Sequence, residues 1–227
     1  MYIVIIGAGG IGGQLIHLIL KDGNHNVVVI DKDKERCEEI ARKHDAVTIN
    51  ADTTQEDALE ESEIEKADVL VATTDDDATN LMVVSLAKNK GVKHLVSVVN
   101  QEESKPMFLE KGVKMVRSPD MVMARYLFKA IKHPIVEEHM SVGKHAEIFR
   151  LPIHQNSKLS GKNISQASFP KKSLIVAIER EDKFIIPTED VELFQGDTVT
   201  VLAHIDQVDK VVDLLYGKTT FNLICYI

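Results

Sequence analysis

The sequence has little cysteine and no long apolar run. Its two cysteines, Cys37 and Cys225, are far apart and lack metal-site spacing, which excludes a disulfide framework and fits a reducing cytosol. No apolar stretch approaches the roughly 20 residues that a membrane-spanning helix needs. The first apolar run has no basic segment before it, so we expect no signal peptide. A soluble protein that reaches a membrane only through a partner is therefore expected.

The sequence also lacks an excess of positive charge. Its 27 Lys and Arg residues are outnumbered by 35 Asp and Glu residues, and the formal net charge is −8. Proteins that bind nucleic acids along a broad surface carry basic patches, so no nucleic-acid partner is expected. The 227 residues are 44% hydrophobic and 27% charged, a globular composition with room for two small domains.

Short β-branched runs alternate with amphipathic helical segments over residues 1–117. The predicted strands are Tyr2–Ile6, Val27–Ile30, Val47–Asn50, Asp68–Thr73, Leu95–Val99 and Lys114–Val116. Strict alternation of strand and helix predicts a parallel sheet with helices on both faces. The fold class is therefore α/β, with a Rossmann-like doubly wound sheet in residues 1–117.

The pattern changes after residue 117. Residues 118–135 are predicted to contain a crossover helix, Met121–Lys132, whose apolar surface exceeds what one sheet edge requires. This helix packs either in the core of its own chain or on another subunit. Residues 136–227 then predict a small α+β domain with a C-terminal tail.

Several elements are predicted within this second domain. It begins with a linker, and it contains a short helix, a hairpin and a closing helix. These are Val136–Lys144, Leu159–Ala167, the hairpin of Leu174–Arg180 with Lys183–Ile186, and Ile205–Tyr216.

A glycine motif lies between the first predicted strand and the first predicted helix. It consists of Gly7, Ala8, Gly9, Gly10, Ile11 and Gly12, and it matches G-x-G-x-x-G in the context that dinucleotide binding requires. Gly7 allows a tight turn, Gly9 lets the backbone approach a phosphate, and Gly12 lets the helix pack close to the strand. The N–H groups of Gly10 and Ile11 would face a phosphate. The alternative is a glycine turn that serves packing alone.

An acidic residue follows the second predicted strand. Asp31 stands where a carboxylate accepts hydrogen bonds from ribose hydroxyls. A carboxylate there disfavours a 2′-phosphate, so NADP is not expected, although the adjacent Lys32 weakens this exclusion. NAD(H) or an adenine nucleotide is the expected ligand.

Polar side chains also follow the third and fourth predicted strands. Asp52 and Thr53 follow the third strand, and Asp52 either accepts from an adenine amino group or caps the next helix. Thr73 and Thr74 follow the fourth strand, with Asn80 in the next turn, and their hydroxyls are candidates to reach phosphate or ribose. Because parallel strands bind ligands at their carboxyl ends, these residues are predicted to line one site.

Catalytic machinery is missing beside this site. Tyr126 and Lys129 do not have Tyr-x-x-x-Lys spacing, and Cys37 has no evident activating neighbour. The run Asp75–Asp77 is either a solvated helix start or a site for a divalent metal. We predict no catalytic and no metal-binding residues. An NAD-dependent oxidoreductase remains the alternative, and a transcriptional regulator would need a basic helix-turn-helix segment that the chain lacks.

The order of these motifs resembles a known family. GAGGIG, Asp31, NADTT, ATTDDDATN and SVVNQEE are similar to the KTN/RCK nucleotide-binding domain of TrkA- and KtrA-like potassium-transport regulators. SKLSGKNISQ, SLIVAIERED and IIPTEDVELFQGDTVTVLA look like the companion TrkA-C (RCK-C) domain. The resemblance implies a cytosolic, non-enzymatic gating subunit that dimerises through the crossover helix. It further implies octameric rings docked on the cytoplasmic face of a membrane potassium channel or transporter.

The resemblance also implies ligands and roles. ATP, ADP, NAD or NADH would bind, with Gly7 to Ile11 around phosphate, Asp31 on ribose, Asp52 on the adenine side and Thr73 with Thr74 in the second half of the site. This chain departs from the family at Gly10 and Val98, where members carry arginines that address phosphate charge. NAD(H), ADP or AMP is therefore favoured over ATP.

Overall fold

The computed structural model describes residues 1–115 and 118–217. The chain divides into two compact units, Met1–Ala124 and Arg125–Ile227. The predicted boundaries after residues 117 and 135 stay a prediction. Val116, the predicted end of the sixth strand, and Cys225 lie outside the described residues.

Among its described residues, the first unit has six strands and, before the helix that crosses into the second unit, five α-helices. The strands are β1 (Tyr2–Ile6), β2 (Asn26–Asp31), β3 (Val47–Asn50), β4 (Val69–Ala72), β5 (His94–Ser97) and β6 (Lys114–Met115). The helices are α1 (Gly10–Asp22), α2 (Lys34–Lys43), α3 (Glu56–Glu61), α4 (Asp77–Asn89) and α5 (Lys105–Glu110). All strand pairs are parallel, in the order β3-β2-β1-β4-β5-β6. This is the doubly wound Rossmann order, and the predicted fold class is confirmed.

Alternation along β1 explains why helices cover both faces of the sheet. Val4 and Ile6 belong to one buried cluster, which includes Val83 of α4. Ile3 and Ile5 belong to the opposite cluster, which includes Ile16 of α1. A strand buried on both faces reads as the continuous apolar run seen in the sequence.

The strand order creates a crevice at the carboxyl end of the sheet. The chain leaves β1 toward β2 on one side, and β4 pairs with β1 on the other. Gly7 follows β1 and Thr73 follows β4, so the glycine motif and the Thr73 loop meet at this point of reversal. Open α/β sheets bind ligands where the strand order reverses.

The helix α6 (Pro119–Lys132) has no buried residue along its length. Leu127, Phe128 and Ile131 are 54%, 64% and 79% exposed. Packing in the core of this chain, one of the two interpretations of the apolar stripe, is therefore wrong. The division between the two units falls inside this helix.

The second unit is built on an antiparallel sheet. Its strands are β7 (Glu138–Val142), β8 (Ala146–Pro152), β9 (Lys162–Asn163), β10 (Ser173–Arg180), β11 (Lys183–Ile185), β12 (Glu192–Leu193) and β13 (Thr198–His204). The main sheet has the order β11-β10-β13-β8-β7, and β9 pairs with β12. The helix α7 (Val208–Tyr216) contributes Val211 and Leu215 to a core with Phe149 and Ile178. The predicted small α+β domain, including its β10–β11 hairpin, is confirmed.

Two predicted elements of this unit are wrong. The segment Val136–Lys144 is no linker, because β7 occupies most of it and pairs with β8. The predicted helix Leu159–Ala167 is replaced by β9 and a short 3-10 turn, Ile164–Gln166. Gly161 has a φ of +75° inside this segment, a left-handed conformation that a right-handed helix does not contain.

Candidate functional site

A cavity of about 580 Å³ opens at the carboxyl end of the sheet in the first unit. Most of the residues predicted from the sequence as ligand-binding line it. These are Gly7, Gly9, Gly10, Ile11, Asp31, Lys32, Asp52, Thr53, Thr73 and Thr74. Ala8, Gly12 and Asn80 are outside its lining. The fold therefore brings together motifs that are separate in the sequence.

Two glycines of the loop are required by the packing of the protein itself. Gly7 has a φ of +93°, and a Cβ there would lie 3.2 Å from the Thr73 Oγ1. A Cβ on Gly12 would overlap the Gly7 carbonyl oxygen and lie 2.7 Å from the same Thr73 oxygen. A side chain at either position is strained or clashes with the backbone, whatever ligand is bound.

The other two glycines of the loop are not explained by packing. A Cβ on Gly9 would meet only Nη1 of Arg36, at 3.6 Å, and a Cβ on Gly10 would meet nothing within 4 Å. Gly9 is the N-cap of α1 and supplies no side-chain cap, so N–H groups of the first turn lack this partner. Open space beside an uncapped helix N-terminus suits the approach of an anionic group.

Asp31 joins the end of β2 to the glycine loop. Its side chain is nearly buried, and Oδ2 accepts a hydrogen bond from the Ala8 N–H at 2.6 Å. Oδ1 accepts from the Asp33 N–H at 2.8 Å. Ala8 thus acts through its backbone and holds the carboxylate in place. A carboxylate has about four acceptor positions, so the two bonds leave capacity for ribose hydroxyls.

The sequence interpretation missed Arg36. This residue is in the first turn of α2 and lines the cavity. Its Nη1 lies 3.9 Å from Asp31 Oδ2, and its Nε lies 3.4 Å from Asp33 Oδ2. The available signal was the N-cap Asp33, which brings a residue three positions later onto the same side of the helix start.

Asp52 is exposed and closes a local turn. Its Oδ1 accepts from the Thr54 N–H at 3.0 Å and from the Thr54 hydroxyl at 2.8 Å. These hydrogen bonds hold the pKa of Asp52 below its ordinary value. The N-cap of α3 is Gln55, so Asp52 does not cap that helix as the alternative interpretation held. Its predicted contact with adenine stays a prediction.

Thr73 and Thr74 line the cavity, but their hydroxyl hydrogens donate within the protein. Thr73 Oγ1 donates to the Gly7 carbonyl at 2.9 Å, and Thr74 Oγ1 donates to Asn80 Oδ1 at 2.7 Å. Asn80 is fully buried, and its Nδ2 donates to the Thr74 carbonyl at 3.0 Å. Asn80 therefore positions the Thr74 loop from behind.

In the acidic run after Thr74, Asp76 and Asp77 accept hydrogen bonds from other groups of the protein. Asp76 is the N-cap of α4, and hydrogen bonds from the hydroxyl and N–H of Thr79 lower its pKa. Asp77 Oδ1 accepts from the Asn100 N–H at 2.7 Å. In residues 1–115 and 118–217, no group of His, Cys, Asp and Glu side chains is arranged to hold a metal ion. The helix-start interpretation describes Asp76 correctly.

The strand order and the glycine loop define a Rossmann-type domain, which the chain joins to a small antiparallel unit. The family model of the TrkA-N domain matches residues 3–119, and that of the TrkA-C domain matches residues 148–216. The chain therefore belongs to the TrkA family of potassium-uptake proteins, and the resemblance inferred from its motifs is confirmed.

Curated relatives agree with this assignment. The chain is 35% identical over 211 residues to a Trk system potassium uptake protein TrkA homologue of Methanothermobacter thermautotrophicus, covering 92% of this chain and 97% of the relative. It is 32% identical to TrkA homologue 2 of Methanosarcina mazei, covering 88% of this chain but 45% of that longer relative. TrkA homologues are regulatory proteins. Membership of this family therefore confirms the expectation that the protein is not an enzyme.

Solved structures show the same fold. The GsuK channel bound to NAD matches with a TM-score of 0.63 at 16% identity, covering 97% of this chain and 40% of that chain. GsuK bound to ADP matches with a TM-score of 0.51 at 24% identity, covering 59% of this chain and 34% of that chain. Within the part of this chain that the structure describes, none of the helices is both long and apolar enough for a membrane crossing.

Proposed function

We propose that the protein is a cytosolic nucleotide-sensing subunit that regulates a membrane potassium channel or transporter of the Trk/Ktr type. The observation that carries the proposal is the cavity, where the open loop at Gly9 and Gly10 faces the Asp31 carboxylate. Related RCK channels have been solved with NAD and with ADP, which supports an adenine nucleotide as the ligand.

The preferred ligands are NAD(H), ADP or AMP, with Gly7 to Ile11 around phosphate and Asp31 on ribose. ATP binds without a strong preference over ADP, because positions 10 and 98 carry no charge for a third phosphate. The exposed Asp75 adds negative charge to the cavity lining. The expected ratio of the two dissociation constants is within about tenfold, or about 1.4 kcal/mol.

Regulation requires a difference between two conformations. A nucleotide shifts the conformational equilibrium only by the difference in its affinity for the two states. Couplings of about 1–3 kcal/mol are typical of regulated proteins. The nucleotide here changes the shape of the regulatory assembly and through it the potassium pathway of the partner.

The assembly is a homodimer formed through α6, which further associates into an octameric ring. The support is the apolar face that α6 exposes at Leu127, Phe128 and Ile131. An apolar stripe of this kind is typical of a protein-protein interface. The ring acts at the cytoplasmic face of the membrane through its partner and involves no nucleic acid.

Nucleotide binding is tested by thermal unfolding of the purified chain with ATP, ADP, AMP, NAD or NADH. A ligand that binds the folded state raises the melting temperature by mass action, so at least one of the five is expected to do so. Isothermal titration without metal then compares ATP with ADP. No stabilisation by any nucleotide contradicts the proposed function, and a hundredfold preference for ATP contradicts the assignment of the phosphate end.

Dimerisation through α6 is tested by Leu127→Glu, with Arg125→Glu as a control for added negative charge on the same helix. The wild-type chain and the control are expected to scatter light as stable oligomers at micromolar concentration. Leu127→Glu is expected to shift the mass toward that of one chain, because a charge would be buried in the interface. A monomeric wild-type chain contradicts this part of the proposal.

A further inference from the structure

Arg36 occupies the flank of the cavity where Gly9 has no side chain. The Nη1 atom of Arg36 lies 3.6 Å from the place that a Cβ on Gly9 would take. Arg36 is on α2, whereas Gly9 begins α1, so two separate helix starts bring the cation and the open backbone together. The family resemblance had placed phosphate-binding arginines at positions 10 and 98, and this chain has neither.

Within the described part of the chain, no hydrogen bond uses the side-chain donors of Arg36. Its guanidinium has five N–H donors. Among the residues that the structure describes, those donors meet Asp31 and Asp33 only as ion pairs, at 3.9 Å and 3.4 Å, without forming a hydrogen bond. The side chain is half exposed on the cavity side of α2. The cation is therefore held near the cavity while its directional donors stay available.

The neighbouring acids do not cancel this role. Asp31 is engaged by the N–H groups of Ala8 and Asp33, and Asp33 accepts from the N–H groups of Glu35 and Arg36. Both carboxylates thus have backbone donors of their own. Lys32 is a second cation in the cavity lining, next to Asp31. A phosphoryl group beside Gly9 would meet Arg36 and the uncapped start of α1.

We propose that Arg36 is the phosphate-binding residue of the cavity and determines which phosphorylated nucleotides it accepts. This inference rests on the proposed nucleotide-binding function. A planar guanidinium binds phosphate oxygens through two parallel N–H bonds, which a single backbone dipole does not supply. The phosphoryl oxygens come from one of two sources, the phosphate chain of AMP, ADP or NAD, or a 2′-phosphate on the ribose.

The test compares Arg36→Gln and Arg36→Lys with the control Lys34→Gln. Lys34 is an exposed cation in the same helix turn, pairs with Glu38 and does not line the cavity. Isothermal titration of adenosine, AMP, ADP, NAD and NADP into each variant isolates the phosphate contribution. Far-UV circular dichroism and the melting temperature check that each variant is folded.

Arg36→Gln is expected to leave adenosine binding within about twofold and to weaken ADP binding by about tenfold or more, as for loss of a charged hydrogen bond. The ADP affinity of Arg36→Lys is expected to lie between those of the wild type and Arg36→Gln, because an ammonium group is a point charge without the bidentate geometry. Equal losses for ADP and NAD assign the arginine to the phosphate chain. A loss confined to NADP assigns it to the ribose phosphate, and both results support the proposal.

Two results would overturn the inference while nucleotide binding stands. The first is Arg36→Gln binding every nucleotide as the wild type does. The second is an equal loss for adenosine and ADP, which would mean that Arg36 acts on the shape of the site and not on phosphate. If the wild-type chain binds none of the five ligands, both the proposed function and this inference are wrong.

Discussion

Arg36 in the first unit and Arg180 in the second each lie beside an aspartate, and the two pairs differ in whether hydrogen bonds join the side chains. In the second unit, Arg180 donates from Nε to Asp197 Oδ1 at 2.7 Å and from Nη2 to Asp197 Oδ2 at 2.8 Å. Nη2 also donates to the Glu192 carbonyl at 2.7 Å, and the guanidinium lies 4.4 Å from the centre of the Phe194 ring. The hydrogen bonds to Asp197 raise the pKa of Arg180.

The pair in the first unit is open. Arg36 remains 3.9 Å from Asp31, whose carboxylate is held by backbone N–H groups and not by the arginine. Ion-pair geometry therefore separates two roles of an arginine beside a carboxylate. Bidentate closure over a buried acid stabilises a fold, whereas a long and half-exposed pair at a cavity leaves charge for a ligand.

The largest expected effect is on the closed pair. Asp197→Ala leaves Arg180 without its carboxylate and also removes the acceptor of the Phe194 N–H. We expect the free energy of unfolding to fall by about 2–3 kcal/mol, because charge-assisted hydrogen bonds are lost while the partly exposed Arg180 stays hydrated. Urea denaturation measures it, with exposed Glu189→Ala as the control, expected to change stability by less than about 0.5 kcal/mol. Equal effects of the two variants would contradict the structural role of the pair.

A smaller effect separates the glycines that packing requires from those that we propose to lie beside phosphate. Gly12→Ala introduces a Cβ that overlaps the Gly7 carbonyl, and a loss of about 1–3 kcal/mol in unfolding free energy is expected. Gly9→Ala has room for its Cβ, so stability is expected to change by less than about 0.5 kcal/mol. Chemical denaturation compares the two. Equal stabilities would mean that the close contact at Gly12 is relieved by a small shift of the loop.

The last expected effect is a pH dependence of stability that arises from His139 in the second unit. The His139 side chain is almost buried, and burial, with the nearby Lys129, lowers its pKa to about 4. Glu147 faces His139 and opposes this shift, and the His133 ring is 6.1 Å away. An unfolded chain would protonate His139 near its ordinary pKa of about 6.5, whereas the folded chain stays neutral.

The stability contributed by neutral His139 is therefore present above pH 6.5 and is lost as the pH falls toward 4. Urea denaturation of His139→Phe between these pH values is expected to show a flatter profile than the wild type. Burial also lowers the pKa of His133, so some dependence is expected to remain. An unchanged slope in the variant would rule out His139 as its source.

Much of the first unit could be predicted from the sequence because its signals are local. Strands such as Tyr2–Ile6 are continuous apolar runs, and the glycine motif with Asp31 has fixed spacing. Asp33 marks the start of α2, but on a charged helix Arg36 looks like any solvated cation. Only the meeting of α2 with the start of α1 shows that it flanks Gly9.

Thr73 and the second unit show two further features that the sequence does not determine. A hydroxyl at a strand end predicts a polar contact but not its direction, and Thr73 donates to the Gly7 carbonyl. The strand β7 has the sequence EHMSV, with little apolar alternation, and its pairing with β8 is set by tertiary contacts. Gly161 breaks a helical pattern through a positive φ that composition does not reveal.

The central claim is that the open loop of the first unit binds an adenine nucleotide. Isothermal titration of ADP into the wild type, Gly9→Val and Gly13→Ala tests it most directly. Gly13 is outside the cavity lining, and a Cβ there would make an ordinary 3.5 Å contact with the Ala8 carbonyl. One saturable ADP site per chain is expected in the wild type and in Gly13→Ala. Binding to Gly9→Val is expected to be at least about tenfold weaker, because the valine side chain fills the space for phosphate. ADP binding of equal strength in all three proteins would contradict this claim, as would a wild type that binds none of ADP, AMP and NAD.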